Sequence, residues 1–211
     1  MSDFELVKDE TLTNEVLKTS KGKNVLKKVL GIIEPIIISF LLAIFSWLFL
    51  ATPHEVFGQS MEPNVHDKSF VVAAKLAYKF GDPQRGDVII FKRTETRDYI
   101  KRVIGLPGEK IRIEDCKIYI NDSPLDESAY LANSVCTLGG SYLETSTDQQ
   151  RYEIIVPENK YFVVGDNRNG STDSRDFGPQ DISLFKGKAV IVFSGGVKKQ
   201  VFTISRPKYN I

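Results

Sequence analysis

The sequence predicts a mostly β protein, an antiparallel β-sheet domain behind one N-terminal transmembrane helix. Three observations carry that expectation. Beyond residue 52 the chain breaks into short β-branched and aromatic runs separated by Gly, Pro, Asn and Asp turns. No β-helix-β alternation, internal repeat or glycine-rich phosphate loop interrupts those runs. Ahead of them lies one long apolar stretch without a charge.

Residues 1–28 are polar and charged, with weak helical character, and read as a cytoplasmic N-terminal segment. Ile36 to Ala51 contains no charged residue, and Val29 to Ile33 extends it across Glu34 and Pro35. The uncharged run alone falls short of the roughly 20 residues needed to cross a bilayer core, and the extension makes up the difference. Pro35 marks a kink or a first turn, and Trp47 suits an interfacial anchor. A cleavable leader fits poorly, because the region before the apolar run is long and bulky Phe49 stands where cleavage after Ala51 requires a small residue. Segment 29–52 is therefore expected to be an uncleaved anchor. Lys18, Lys21, Lys23, Lys27 and Lys28 precede the run, and no lysine or arginine follows before Lys68. The positive-inside bias then places the N-terminus in the cytoplasm and residues 53–211 outside, giving a single-pass protein of the cytoplasmic membrane.

In the body, strands are expected at Ser69 to Ala74, Val88 to Phe91, Tyr99 to Leu106, Lys110 to Glu114 and Lys117 to Ile120. Four more follow at Tyr152 to Val156, Tyr161 to Val164, Ala189 to Phe193 and Val201 to Ser205. Only Pro179 to Lys186 suggests a short helix. Residues 122–150 are poorer in apolar side chains and read as an insertion or small subdomain.

Net charge is +1 over 211 residues, which leaves no nucleic-acid footprint. Cys116 and Cys136 have no zinc spacing, and His54 and His66 do not complete a metal set with them, so neither metal nor cofactor is expected. The cysteines form one disulfide or remain two thiols, and the sequence leaves both open.

Three stretches could carry chemistry. Ser60 sits in a turn shaped by Gly58 and Pro63, close behind the anchor. A serine nucleophile needs a base, and His54 and His66, each six residues away, lie in the same loop region without a strand to fix them. Lys101 is the better candidate, since burial among apolar neighbours would hold a lysine neutral enough to accept a proton. Lys101 and Arg102 point to opposite faces of their strand, so one is expected inward and the other solvated. The third stretch, Gly165 to Arg175, offers Asp166 or Asp173 to pair with Arg168 or Arg175, together with two hydroxyls.

Gly58 to Pro63, Arg85 to Phe91, Tyr99 to Glu109 and Gly165 to Arg175 occur in that order behind an anchor. This set resembles the sequence boxes of bacterial type I signal peptidases, membrane-anchored serine proteases that remove signal peptides from exported preproteins. The resemblance runs from the anchor to about Pro179, and less clearly to Phe193. It implies Ser60 as nucleophile, Lys101 as general base and Ser171 as the hydroxyl that orients the lysine. Asp173 and Arg175 become the pair that supports the site, with Asp166 of the same loop and Arg102 also supporting, and Met61 and Gly58 become substrate- or membrane-facing. Gly58 stands where some members carry a hydroxyl donor, which leaves the second oxyanion-hole donor unassigned, and Asn64 stands where threonine is common.

The implied partners are preprotein signal peptides ending in small residues of the A-x-A kind, the lipid bilayer and a nearby export translocase. Two other readings remain: a dedicated Ser/Lys maturation peptidase for one secretion, pilus or conjugation substrate, and a non-catalytic anchored binding domain. Ser183 to Lys186 and Ser205 to Lys208 fit S-x-x-K by chance, without companion motifs. Arg85-Gly86-Asp87 reads as a turn, and the sequon Asn169-Gly170-Ser171 lies inside the proposed site loop.

Overall fold

The computed structural model describes residues 28, 31–45, 50–145, 151–194, 200–204 and 206–209. The chain divides into two compact units, Met1–Leu48 and Phe49–Ile211. In the first, residues 31–45 form helix α1, with Ile36, Phe40 and Leu42 all more than half exposed. Among the described residues no helix is long and apolar enough to cross a membrane. Residues 1–27, and 29, 30 and 46–49 of the expected anchor, lie outside the described residues.

The second unit is built from antiparallel strands. They are β1 (Ala51–Glu55), β2 (Phe70–Ala74), β3 (Val88–Lys92), β4 (Asp98–Gly105), β5 (Lys110–Glu114), β6 (Lys117–Ile120) and β7 (Ser123–Pro124). After them come β8 (Glu144–Thr145), β9 (Tyr152–Ile155), β10 (Lys160–Val164), helix α2 (Ser174–Phe177), β11 (Gln180–Asp181), β12 (Phe185–Phe193) and β13 (Val201–Thr203). One sheet runs β1-β2-β12-β3-β4-β10-β11, with β13 beside β12, and the other runs β7-β6-β5-β9-β8.

The expected anchor reaches residue 52, yet Ala51 and Thr52 already belong to β1 and pair with Ala74 and Ala73. Pro53 is tolerated there because β1 is an edge strand, where a missing N–H costs no ladder bond. The helix expected over 179–186 is instead β11, a 3₁₀ turn at Ile182–Leu184 and the start of β12. Asp181 accepts from the Ser183 N–H at 2.8 Å and starts that turn.

The strand that matters most is β4, and its surroundings follow from β3. Val88, Ile89, Ile90 and Phe91 form an uninterrupted apolar run that is buried throughout. Ile89 and Phe91 enter one core cluster with Val103 and Tyr161, while Val88 and Ile90 enter another with Val56, Met61 and Val71. The period-two alternation thus feeds two cores, one on each face of the sheet. Antiparallel partners share a face, and Lys101 lies opposite Ile89 while Arg102 lies opposite Val88. Both charged side chains are therefore inward, each 3% exposed, which corrects the expectation that one of them is solvated.

The 5-stranded sheet packs its own core around Ile111, Ile113, Ile118 and Val156. Asp115 and Cys116 both have positive φ, 48° and 65°, as a two-residue type I′ connection between β5 and β6 requires. From the expected insertion, Leu125, Tyr130 and Leu143 enter the same core as Phe162 and Val164 of β10; its residues 146–150 lie outside the described residues. Cys116 and Cys136 are joined by a disulfide across 20 residues of chain, which resolves the choice the sequence left open. Replacing both by serine is expected to lower the unfolding free energy by about 3 kcal/mol, the loop-closure value for that span, read as a lower denaturant midpoint.

Candidate active site

Ser60 is held in its turn by apolar residues on either side. Val56, Met61 and Val65 are all at most 5% exposed and pin the loop into the core beneath β2 and β3. The Val65 N–H donates to Met61 O at 2.8 Å and the Glu62 N–H to Gln59 O at 3.1 Å, so the turn is closed by its own backbone. Met61 is 1% exposed and faces the core, which corrects its expected substrate- or membrane-facing role. The apolar residue displayed beside the serine is Phe57, at 77%. Gly58 has φ 98°, a conformation that favours glycine, and its N–H donates to Asp67 Oδ1 at 2.7 Å. That N–H is already engaged and does not face a substrate as an oxyanion donor.

Lys101 Nζ lies 2.7 Å from Ser60 Oγ and 3.0 Å from Ile100 O. Burial of the ammonium lowers its pKa to about 8; the charges of Asp173 and Asp166 oppose the shift and Arg175 adds to it. His54 pairs loosely with Asp98 at 3.8 Å, and burial lowers its pKa. His66 lies 3.9 Å from Glu62. The group in hydrogen-bond reach of the serine hydroxyl is the lysine.

Behind the lysine, the loop after β10 resolves the ion pairs that the sequence left open. Asp166 takes two bonds from Arg102, 2.8 Å from Nε and 2.7 Å from Nη2, rather than pairing within its own loop. Arg102 also donates to Gly86 O and stacks over Tyr130, its guanidinium carbon 4.1 Å from the ring centre. Asn64 donates to Asp166 at 2.9 Å, so the residue that departs from the common threonine ties the serine loop to this pair. Asp173 takes two bonds from the Arg175 guanidinium, both 2.8 Å, one from the Arg175 N–H at 3.2 Å and one from the Gly165 N–H at 2.9 Å. Burial alone would raise the Asp173 pKa, but Arg175 and the Gly165 N–H hold it below the ordinary value. Asp173 also caps α2 in a capping box with Asp176, so one carboxylate sets both the helix start and the charge near Lys101. Arg168 pairs instead with Glu127, from the expected insertion, at 2.5 Å.

Ser171 differs from the role the resemblance implies. Its Oγ is buried without a hydrogen-bond partner, near enough to Asp173 to help keep that carboxylate's pKa low, and the bonds of Lys101 Nζ go to Ser60 and Ile100. The reason lies in Gly165: a Cβ there would come within 2.5 Å of Ser60 O and closer still to Ser171 Oγ. The missing side chain lets the two serine segments approach, with Ser171 packed on Gly165.

Sequence reasoning did not single out Asn167, Glu127 or Tyr130. Asn167 lies within Gly165 to Arg175, but its bonds to the serine turn cross more than a hundred residues and leave no local signal. Beside Ser60 and Lys101 opens a cleft of about 670 Å³, lined by His54 to Ser60, Arg97 to Lys101, Ile90, Gly170 and Thr172. A hydroxyl beside a buried amine of lowered pKa is equipped for acyl transfer.

The family model described as signal peptidase, peptidase S26, matches residues 19–194. Signal peptidase IB of Staphylococcus aureus is 34% identical over 174 residues, 79% of this chain and 90% of the relative. Signal peptidase I of Bacillus amyloliquefaciens is 35% identical over 191 residues, 90% of this chain and 95% of the relative. A crystal structure of a signal peptidase I from Enterococcus faecalis shares 34% identity, covers 51% of this chain and 97% of that one, and superposes with a TM-score of 0.41. On the family match and the identity to these relatives, the chain belongs to the bacterial type I signal peptidases of peptidase family S26 and is a serine endopeptidase.

Proposed function

We propose that this chain removes N-terminal signal peptides from exported preproteins, with Ser60 as nucleophile and Lys101 as general base. The observation that carries the reading is the 2.7 Å approach of a buried lysine, its pKa lowered to about 8, to the serine hydroxyl. Neutral Lys101 takes the Ser60 proton as Oγ bonds to the scissile carbonyl carbon. The carbonyl electrons move to oxygen, and the Ser60 N–H stabilises that oxyanion. On collapse the C–N bond breaks, and Lys101 passes its proton to the departing amine. Water, deprotonated by the same lysine, then attacks the acyl-serine; the ester C–Oγ bond breaks, Lys101 returns the proton to Ser60 Oγ, and the peptide acid is released.

The apolar run through Ile36 to Leu50 supports a membrane anchor, ending before β1 at Ala51. Enzyme and signal peptide would then share two dimensions, which raises their effective concentration.

The full chain, purified in lipid vesicles, is expected to cleave several unrelated preproteins after small residues. Its kcat/KM should rise with pH through one ionisation near 8, because only the neutral amine accepts the serine proton. Activity already at its plateau by pH 7 would rule out Lys101 as the base. Cleavage of one preprotein alone would favour the dedicated maturation peptidase.

A further inference from the structure

We infer that Asn167 is a positioning residue for the oxyanion hole, aiming the Ser60 N–H by gripping the peptide group that carries it. The inference rests on the proposed role of Ser60 and concerns a residue that never touches the reacting atoms. A trans peptide is a rigid plane in which the C=O of one residue points opposite to the N–H of the next. Whatever fixes Gln59 O therefore fixes the direction of the Ser60 N–H.

Asn167 holds that unit and the one that follows it. Its side-chain Nδ2 donates to Gln59 O at 3.0 Å, and its backbone N–H donates to Ser60 O at 3.0 Å. The two bonds clamp the peptide planes before and after the Ser60 Cα. The Glu62 N–H shares Gln59 O from within the turn, so Asn167 is the tie that reaches it from outside the turn.

The amide of Asn167 is itself oriented. Its Oδ1 accepts from the Gly170 N–H at 3.1 Å, which turns Nδ2 toward Gln59. Gly170 also leaves the space that this amide fills, since a Cβ there would stand 2.6 Å from Nδ2. At its other end Asn167 follows Asp166, locked to Arg102 in the buried sheet. The grip is thus referenced to the rigid core that also carries Lys101, so the base and the oxyanion donor share one frame. With Gly58 N–H committed to Asp67, correct aim of the Ser60 N–H carries more of the charge stabilisation than it would in a hole with two free donors.

The test compares Asn167→Ala and Asn167→Asp in the full chain in lipid vesicles. Aspartate keeps the acceptor for Gly170 and the backbone N–H to Ser60, so the loop is retained, but it presents an oxygen to Gln59 O. Expected results are a kcat lower by about 10-fold for alanine and about 100-fold for aspartate, with KM within twofold and the pH midpoint still near 8. A peptide aldehyde, whose adduct with Ser60 mimics the tetrahedral state, should lose affinity by the same factors, while product-peptide affinity holds. The inference is overturned if both variants keep wild-type kcat. It is equally overturned if the loss lies in KM, or if aldehyde and product weaken together. Ser60→Ala separates the two levels: its inactivity beside a fully active Asn167→Asp sinks this inference alone, whereas its retained activity sinks the dyad beneath it.

Discussion

Ser60→Ala and Lys101→Arg are each expected to lower kcat by at least about 10⁴-fold while the β domain stays folded. Alanine removes the atom that would form the acyl bond. Arginine keeps a cation at the same place on β4 but does not give up its proton in a protein, so no base remains. Lys101→Met is the companion variant, because it removes the amine without crowding the 3%-exposed site. Circular dichroism and cleavage of a preprotein read the two properties separately, and near-wild-type turnover in folded Lys101→Arg would refute the dyad.

The methionine variant has a second expected signature. The folded pKa of Lys101 is depressed from 10.5 to about 8, so between those values the unfolded chain binds the extra proton. Stability of the wild type therefore climbs with pH across that window, as the cost of burying the ammonium disappears. Below about 8 the full cost is present, and Lys101→Met is expected to be at least as stable as wild type. The difference should shrink toward pH 10.5.

Asp166→Ala should give the largest loss of stability, about 3–5 kcal/mol, because it strands the Arg102 guanidinium in the sheet without its two charged bonds. Its neighbours do not compensate: Gly86 O satisfies one nitrogen and the Tyr130 face another part of the charge. Adding Arg102→Met to Asp166→Ala is expected to recover much of the loss, since the buried charge is then gone rather than unpaired. Denaturant unfolding of the two variants tests this, and equal midpoints would show that the pair carries little. Where the single variant is folded enough to assay, its activity midpoint should fall below 8, since the Asp166 charge raises the Lys101 pKa.

Much of the scaffold was legible from local pattern. β5 and β6 match their expected limits, because Ile111, Ile113, Ile118 and Ile120 alternate strictly with polar residues and only one face of the pair needs a core. The limits of β12 were not legible. Lys186 and Lys188 interrupt its apolar run, and their partners Asp98 and Asp87 come from strand β4 and the turn before β3. Strand β1 was hidden by the apolar run before it and by Pro53, which only an edge position accommodates.

The sequence by itself determined most of the strand segments along the chain, the shaped turn around Ser60, and the candidacy of Lys101 and of the Asp/Arg loop. Those properties live in short-range spacing and in residue chemistry. Tertiary structure alone decided that Lys101 and Arg102 are both inward, because that requires a core on each face of one sheet. It also decided that Asp166 belongs to Arg102 and Arg168 to Glu127, since a carboxylate's partner is set by distance in space. Met61 turned inward and Ser171 settled against Gly165 for the same reason: packing around a turn, not the identity of its residues, sets which way each side chain points.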